Sequence, residues 1–372
     1  MYMKTIAIFS AFYPPHVGGV ESYVYYLSKE LERAGYRVII VTSNEEKIQS
    51  VEDEGNVRII RLPIFKIFSQ RFPLPKKNKE FKHLMSLLDS ESIDHIIVNT
   101  RFHLTSMVGA KYGYTHHIKV SLIEHGSNHL TVDHKLFDLL GEKVEHALTW
   151  RIKKYVFDYY GVSRAASKWI EHFKVKSSGE WYNSIDVNQQ TPTREKQKLF
   201  TFSYAGRIIK QKGIENVLDA YSKLQSEYPN MQLIIAGEGN QKEELEKKYK
   251  DNKSIRFLGR IEKKEVLNLL AKSDVFLYPP IWPEGLPSSI LEAGLLRTPV
   301  ITTAQGGITE IIQDQSNGLL VKEDSNSLYQ AMKELLMHEN LRSELGNSLH
   351  RTVEDKFSWR STANKVISDI SK

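Results

Sequence analysis

Short apolar runs alternate with amphipathic stretches along the whole chain. Lys4–Ser10 is apolar, Gly19–Ala34 repeats its apolar positions at helical spacing and stops at Gly35, and Tyr36–Thr42 is apolar again. Further runs of strand length fall at Val57–Leu62, Ile93–Asn99, Ile118–Glu124 and Tyr155–Val162, with helical patterns at Lys79–Leu88, Leu104–Tyr112 and Asp133–Ile152. Strands that read as near-continuous apolar runs are buried on both faces, which predicts a parallel sheet covered by helices on each side.

The segment Asn188-Gln-Gln-Thr-Pro-Thr-Arg-Glu-Lys-Gln-Lys198 breaks the pattern. It is polar, contains proline and has no period, so it is predicted to link two domains. The alternation then restarts. Strands are predicted at Leu199–Ala205, Met231–Ala236, Ser254–Leu258, Val275–Pro279 and Pro299–Thr303, and helices at Gly213–Ser226, Gln241–Tyr249, Lys263–Lys272 and Leu286–Leu295. Two such sets predict an α/β protein of two doubly wound, Rossmann-like domains, residues 1–187 and 188–355. A last amphipathic helix, Phe357 to Ile370, has Ser358 as its predicted cap. Open sheets of this kind bind ligands beyond the C-terminal ends of their strands, so the expected site is a cleft between two facing sheets.

Composition narrows the class. A chain of 372 residues can give each domain its own core. No apolar run reaches the roughly 18 residues a membrane span needs, and Met1–Ser10 reads as a buried strand rather than a secretory leader. A cytoplasmic location is expected, with peripheral attachment to the inner face of the plasma membrane as its extension. The absence of cysteine excludes disulfides and thiolate metal sites. A net charge of +6 suggests an anionic partner such as a nucleotide, a phospholipid surface or a nucleic acid.

The residues with candidate chemistry follow strands. Tyr204-Ala-Gly-Arg207-Ile-Ile-Lys-Gln-Lys212-Gly213 leads into a helix. Two cations beside a helix N-terminus suit a diphosphate, the arginine by bidentate contact and the lysine as a point charge; the alternative is a solvated loop. Glu284-Gly-Leu-Pro-Ser-Ser-Ile-Leu-Glu292 opens another helix. Its amides attract anions, and glutamates so placed can accept hydrogen bonds from sugar hydroxyls; as an alternative they are ordinary helix charges. Phe12-Tyr-Pro-Pro-His16-Val-Gly18-Gly19-Val-Glu21 has paired glycines that permit close approach to an anion, or simply make a tight turn. Ile123-Glu124-His125-Gly126 sets a histidine at a strand end. Asn99-Thr-Arg101-Phe-His103 either lines an acceptor pocket or starts a helix. Gly237-Glu238-Gly239 and Gly259-Arg260-Ile261 also follow strands, where glycines often serve only turns.

Taken in order, Gly18-Gly19-Val-Glu21, His125, Asn183-Ser-Ile-Asp186, Gly206-Arg207 with Lys212, and Glu284 with Glu292 resemble the retaining glycosyltransferases of family 4, which have the GT-B fold. The resemblance covers nearly the whole chain. It implies two Rossmann-like domains facing across a cleft, with the C-terminal helix, residues 356–372, packing back on the first. It implies that Arg207 and Lys212 hold the donor diphosphate and neutralise the leaving group, that Glu284 meets the donor sugar, and that Glu292 meets the ribose. The backbone of Gly285, Leu286, Pro287 and Ser288 would face phosphate or sugar, Gly18 and Gly19 would close over the phosphates, and Gly259 and Ile261 would lie near the base. His125 is implied as a catalytic contact to the donor, along with Arg207, Lys212 and Glu284. Glu21, Asn99, Arg101 and His103 are the expected acceptor residues. The family often has aromatic or glycine residues where Leu286 and Pro287 stand, and more often glycine at Ser184. The donor would be a UDP- or GDP-sugar and the acceptor a saccharide or lipid-linked saccharide, in cell-surface polysaccharide or glycolipid synthesis. The implied reaction is a front-face displacement with no cofactor.

Other classes stay in view. A non-catalytic sugar-nucleotide-binding assembly protein would carry the same folds, as would a nucleotide-sugar epimerase. No Asp-x-Asp is present to hold a divalent cation. Five histidines between His116 and His134 make a metal cluster conceivable, but the spacing shows no ligand set, and no metal is expected. Residues 61–83 interleave Phe65, Phe68, Phe72 and Phe81 with Lys66, Arg71, Lys76, Lys77, Lys79 and Lys82. Exposed, this mixture suits an anionic membrane face; its alternatives are core aromatics under an ordinary loop and single-stranded nucleic acid, which is not expected as a partner.

Overall fold

The computed structural model describes residues 3–16, 18–46, 48–65, 73–126, 128–129, 135–194 and 197–372. The chain forms two compact units, Met1–Asn183 with Trp359–Lys372, and Ser184–Ser358. Both crossings between units occur at one place: Ile185 bridges Ser358, and the Ile185 amide donates to the Phe357 carbonyl at 2.8 Å. The polar stretch predicted as a linker therefore belongs to the second unit. Arg194 reaches from it to the carbonyls of Arg297 and Ser273, which lie just beyond the ends of helices Ser288–Leu295 and Lys263–Ala271.

The first unit has an eight-stranded sheet. From edge to edge its strands are Gly179–Glu180, Asp158–Gly161, Val120–Glu124, Ile93–Asn99, Thr5–Phe9, Arg37–Ser43, Val57–Leu62 and Val51–Glu54. All pairs are parallel except the last, where Val51–Glu54 runs antiparallel to Val57–Leu62. Val51–Glu54 was not legible because three of its four residues are acidic. Alternation of side chains puts Ile6 and Ile8 in the layer with Tyr23, Leu27 and Leu31 of helix Gly19–Arg33. Ala7 and Phe9 face the opposite layer with Ala110 of helix Leu104–Thr115. The terminal helix Trp359–Ile370 joins the first layer: Trp359 stacks on Tyr26, and Trp181 donates its indole N–H to Asp369 at 3.0 Å.

The second unit has a six-stranded parallel sheet ordered Ile255–Gly259, Met231–Ala236, Phe200–Ala205, Val275–Tyr278, Val300–Thr303 and Leu319–Val321. Helices Ile214–Glu227 and Ser325–Met337 cover one face, sharing a core with Phe202, Tyr204, Leu233 and Leu277. In each sheet the first strand lies inside and the strands that follow it, three in the first sheet and two in the second, fall to one side before the order reverses. The reversal point is the crevice where doubly wound sheets bind ligands. In the first unit it falls between Thr5–Phe9 and Ile93–Asn99; in the second, between Phe200–Ala205 and Val275–Tyr278. No described helix is long and apolar enough to cross a membrane.

Candidate active site

At the reversal point of the second unit, the chain leaves Phe200–Ala205 through Gly206 and Arg207, makes a turn at Lys210–Lys212, and enters helix Ile214–Glu227. Gly213 makes this route possible. Its φ of 70° is left-handed, and a Cβ there would collide with the Pro279 carbonyl oxygen. That close approach seats Lys212 against the end of Val275–Tyr278. Lys212 is buried, and its Nζ donates to the Tyr278 hydroxyl at 2.9 Å and to the Glu284 carboxylate. Burial lowers the Lys212 pKa, and the Glu284 charge opposes that shift. Burial also raises Tyr278 well above the usual phenol range, with Glu284 adding to the effect. Arg207 and Lys212 were both expected to face solvent; Lys212 instead is buried and paired with Glu284. Arg207 is exposed, and its carbonyl is fixed by the Tyr204 hydroxyl at 2.8 Å.

Glu284 and Gly285 are held from behind by a glycine pair that the sequence reading passed over. The Gly307 amide donates to the Glu284 carbonyl at 2.9 Å. Gly306 is left-handed at φ 58°, and a side chain on either glycine would run into the backbone of Glu284 or Gly285. The doublet after a strand was the available signal. Leu286 and Pro287 are buried and anchor the start of helix Ser288–Leu295, whose amides receive no side-chain cap. They are open to an acceptor from outside. Glu292, one turn in, is pushed up to about 7 by burial, with Lys263 pulling the other way. Gly259, left-handed at φ 70°, accepts from Gly237 through its carbonyl at 2.8 Å, and the Arg260 amide donates to Glu238 at 3.2 Å. Ile261 is half-buried beside them in the chain. Arg207, Lys212, Gly259, Glu284 and Ser288 thus lie at the C-terminal ends of this sheet's strands or in the segments that lead from them into the next helix.

At the reversal point of the first unit, Phe9 pairs with both Val41 and Val98, so three strands end together. Asn99 is fully buried there. Its Nδ2 donates to the Phe9 carbonyl at 3.3 Å, and its Oδ1 faces His125 Nε2 at 2.9 Å. That arrangement assigns the proton to His125 Nε2 and leaves Nδ1 as the acceptor. Burial, reinforced by His103, lowers His125 to about 3, so the ring is neutral at pH 7. His103 is lowered to about 4 by burial. Phe12 stacks on His16 at 4.5 Å and meets His103 edge-on at 5.7 Å. His16 Nδ1 lies 2.7 Å from the buried Glu21 carboxylate, which curls under Gly18; Gly19 opens to free space. The structure therefore brings Gly18, Glu21, Asn99, His103 and His125 together.

Arg101 is the exception. Expected beside the acceptor, it is 2% exposed, ion-paired to Glu124 at 2.6 Å and to Glu145, with its guanidinium 4.0 Å from the Phe173 ring. A guanidinium committed to two carboxylates and an aromatic face in the interior serves the fold. The basic–aromatic segment is also divided. Lys66, Phe68, Arg71 and Phe72 lie outside the described residues. Phe81 is a core residue with Leu84 and Leu88, whereas Phe65, Lys76, Lys77, Lys79 and Lys82 are exposed.

Comparison with known proteins matches residues 17–189 to the family described as Glycosyltransferase Family 4 and residues 186–351 to that described as Glycosyl transferases group 1. An uncharacterized glycosyltransferase of Methanocaldococcus jannaschii is 26% identical over 97% of this chain and 96% of its own. A GDP-mannose-dependent monoacylated alpha-(1-6)-phosphatidylinositol monomannoside mannosyltransferase of Corynebacterium glutamicum is 24% identical over 96% of this chain and 94% of its own. Among solved structures, Anabaena HepE in complex with UDP-glucose superposes with a TM-score of 0.70 at 16% identity, covering all of both chains.

Proposed function

Because the chain belongs to glycosyltransferase family 4 and has the GT-B fold, we propose that it moves a sugar, with retention, from a nucleoside-diphosphate sugar to a hydroxyl of a lipid-linked acceptor, with no metal in the chemical step. The observation that carries this reading is the Lys212–Glu284 pair beside an uncapped helix N-terminus. In the reaction the bond from the anomeric carbon to the diphosphate oxygen breaks and its electrons stay on that oxygen. In this reading Arg207, Lys212 and the amides of Ser288 and Ser289 stabilise the charge that appears. The acceptor hydroxyl attacks from the same face, and its proton passes to the departing phosphate oxygen. Glu284, released from Lys212 by the arriving diphosphate, accepts hydrogen bonds from the donor sugar. Glu292 accepts from the ribose, near Gly259 and Ile261 at the base end. A neutral His125 suits the donor contact that the family resemblance implies, since its remaining lone pair accepts without adding charge.

The Corynebacterium relative acts on a phosphatidylinositol mannoside and HepE binds UDP-glucose; both support a nucleotide-sugar donor, and the first supports an acceptor with a lipid part. A cavity of about 440 Å³ in the first unit supports it further. Phe81, Met85, Met107 and Val108 supply apolar lining and Lys77, Lys111 and Arg151 supply cations, a combination suited to a lipid tail with a phosphate. Helix Lys135–Ile152 also exposes Leu139, Leu140, Val144 and Trp150, which supports attachment to a membrane surface. The test is incubation with UDP- and GDP-sugars, with and without phosphoinositide and polyprenyl-phosphate glycan acceptors. Acceptor-dependent release of nucleoside diphosphate, with a product of the donor's anomeric configuration by NMR, is expected. An epimerised donor without release, or binding without turnover on any acceptor, refutes it.

A further inference from the structure

Three segments distant in sequence place a nitrogen-rich donor set in the first unit. His129 lies beyond strand Val120–Glu124, Glu142 and His146 share a face of helix Lys135–Ile152 at i and i+4, and His172 follows helix Arg164–Glu171. One donor atom from each of the four lies within 4.8 Å of the others. His129 Nε2 is 3.5 Å from Glu142 Oε1, His146 Nε2 is 4.0 Å from the same oxygen, and the Nε2 atoms of His146 and His172 are 3.2 Å apart. Tetrahedral zinc with bonds of about 2.0–2.1 Å sets its ligand atoms roughly 3.3 Å from one another. The observed separations bracket that edge.

We propose that His129, Glu142, His146 and His172 form a binding site for one zinc ion. Three imidazoles and one carboxylate are the borderline ligand set that zinc favours over magnesium or calcium. A solvated cluster joined by the His146–His172 hydrogen bond is the competing reading, and His129 decides between them. Its Nδ1 faces the Glu145 carboxylate at 3.2 Å, which fixes the proton there and turns the Nε2 lone pair into the cluster. Nε2 is buried and makes no hydrogen bond. A carboxylate behind a histidine that presents its other nitrogen is the usual support of a metal ligand. Trp169 stacks flat on His172 at 4.8 Å and Phe173 meets His129 edge-on at 5.8 Å, so the rings are walled in place. With four protein ligands the site has no open position and acts as a clasp. Its support runs onward: Glu145 pairs with Arg101, Arg101 with Glu124, and Glu124 Oε1 accepts the amides of His125 and Gly126 at 3.1 and 3.0 Å. Zinc at the clasp therefore braces the loop that carries His125.

The test uses the full chain without an affinity tag, stripped with EDTA and titrated calorimetrically with Zn²⁺. A single tightly bound ion is expected, with a rise in melting temperature at equimolar zinc, and Co²⁺ should give the visible absorption of a tetrahedral site. The double variant His146→Ala/His172→Ala should lose uptake, the cobalt spectrum and the zinc-dependent rise, while its melting temperature without metal stays at the wild-type metal-free value. Glu142→Gln should weaken zinc binding at least tenfold, and His116→Ala, an exposed histidine on another helix end, should leave it unchanged. Absence of stoichiometric zinc uptake by the wild type, or uptake that survives in both the double variant and Glu142→Gln, overturns the proposal.

Discussion

Glu292 gives the sharpest test, because one carboxyl is asked to be buried when the site is empty and charged when it is filled. Its pKa of about 7 against an ordinary 4.5 corresponds to roughly 3 kcal/mol of cost for holding the charge in the folded protein. The folded pKa is raised, so the protonated form carries the stability. That stability is complete below pH 4.5, declines through the interval from 4.5 to 7, and is gone above it. Ribose binding to the carboxylate should reverse the preference. Nucleotide affinity should then rise about tenfold between pH 6 and pH 8, as the ionised fraction climbs from about one tenth to about nine tenths. At pH 7 binding should release about half a proton, read by calorimetry in buffers of different ionisation enthalpy. Glu292→Gln removes the titration. It should bind nucleotide more weakly at pH 8, with a flat profile, and should resist urea better than wild type at pH 8 but not at pH 4.5. A pH-independent wild-type affinity, or a Gln variant that keeps the wild-type profile, refutes the reasoning.

The two cations of the donor loop should separate by readout. Arg207→Ala should lower turnover at least about 100-fold with unchanged urea stability, because the side chain is exposed. Lys212→Ala should lower turnover as much and also cost about 2 kcal/mol of stability in the second unit, less than the roughly 3–5 expected for a wholly enclosed pair because Glu284 keeps some solvent; equal stability of the two variants would refute the buried pair. Acid should weaken the first unit, since burial lowers His95 and His103 to about 4 and His125 to about 3. With folded values depressed, each contributes stability that is present above its unfolded pKa near 6.5 and is lost as pH falls toward the folded value, at up to about 1.4 kcal/mol per pH unit. Urea titrations between pH 6.5 and 4.5 should show His95→Gln reducing the slope by one histidine's share, and an unchanged slope would refute the assignment.

The strand pattern was readable because parallel strands buried on both faces advertise themselves as apolar runs. Val57–Leu62, Ile93–Asn99 and Met231–Ala236 have the bounds their sequence predicts. Val51–Glu54 and helix Glu339–Lys356 were opaque for the opposite reason: both are dominated by charged and polar residues and take their conformation from the neighbours they pack on. In the site, residue types beside glycines were legible, and Arg207, Glu284 and His125 lie where strand ends predicted. Partnerships were not. No spacing rule shows that Lys212 turns inward to Tyr278 and Glu284, or that Arg101 is drawn between Glu124 and Glu145. The histidine cluster needed three segments to converge, one of them a helix cap, and only tertiary structure supplies that.

The shared crossing point at Ile185 and Ser358 has a consequence for the order in which the protein is made. A ribosome that has delivered residue 183 has released every strand of the first sheet but not the helix Trp359–Ile370. Until that helix arrives, Tyr23 and Tyr26 lack the Trp359 ring and the Trp181 indole lacks Asp369. The whole second unit is synthesised in the interval, so it can fold to completion while the first waits with an open apolar layer. Unit two, encoded later, is thus the first that can be finished, and Trp359–Lys372, synthesised after it, completes the unit that was begun first.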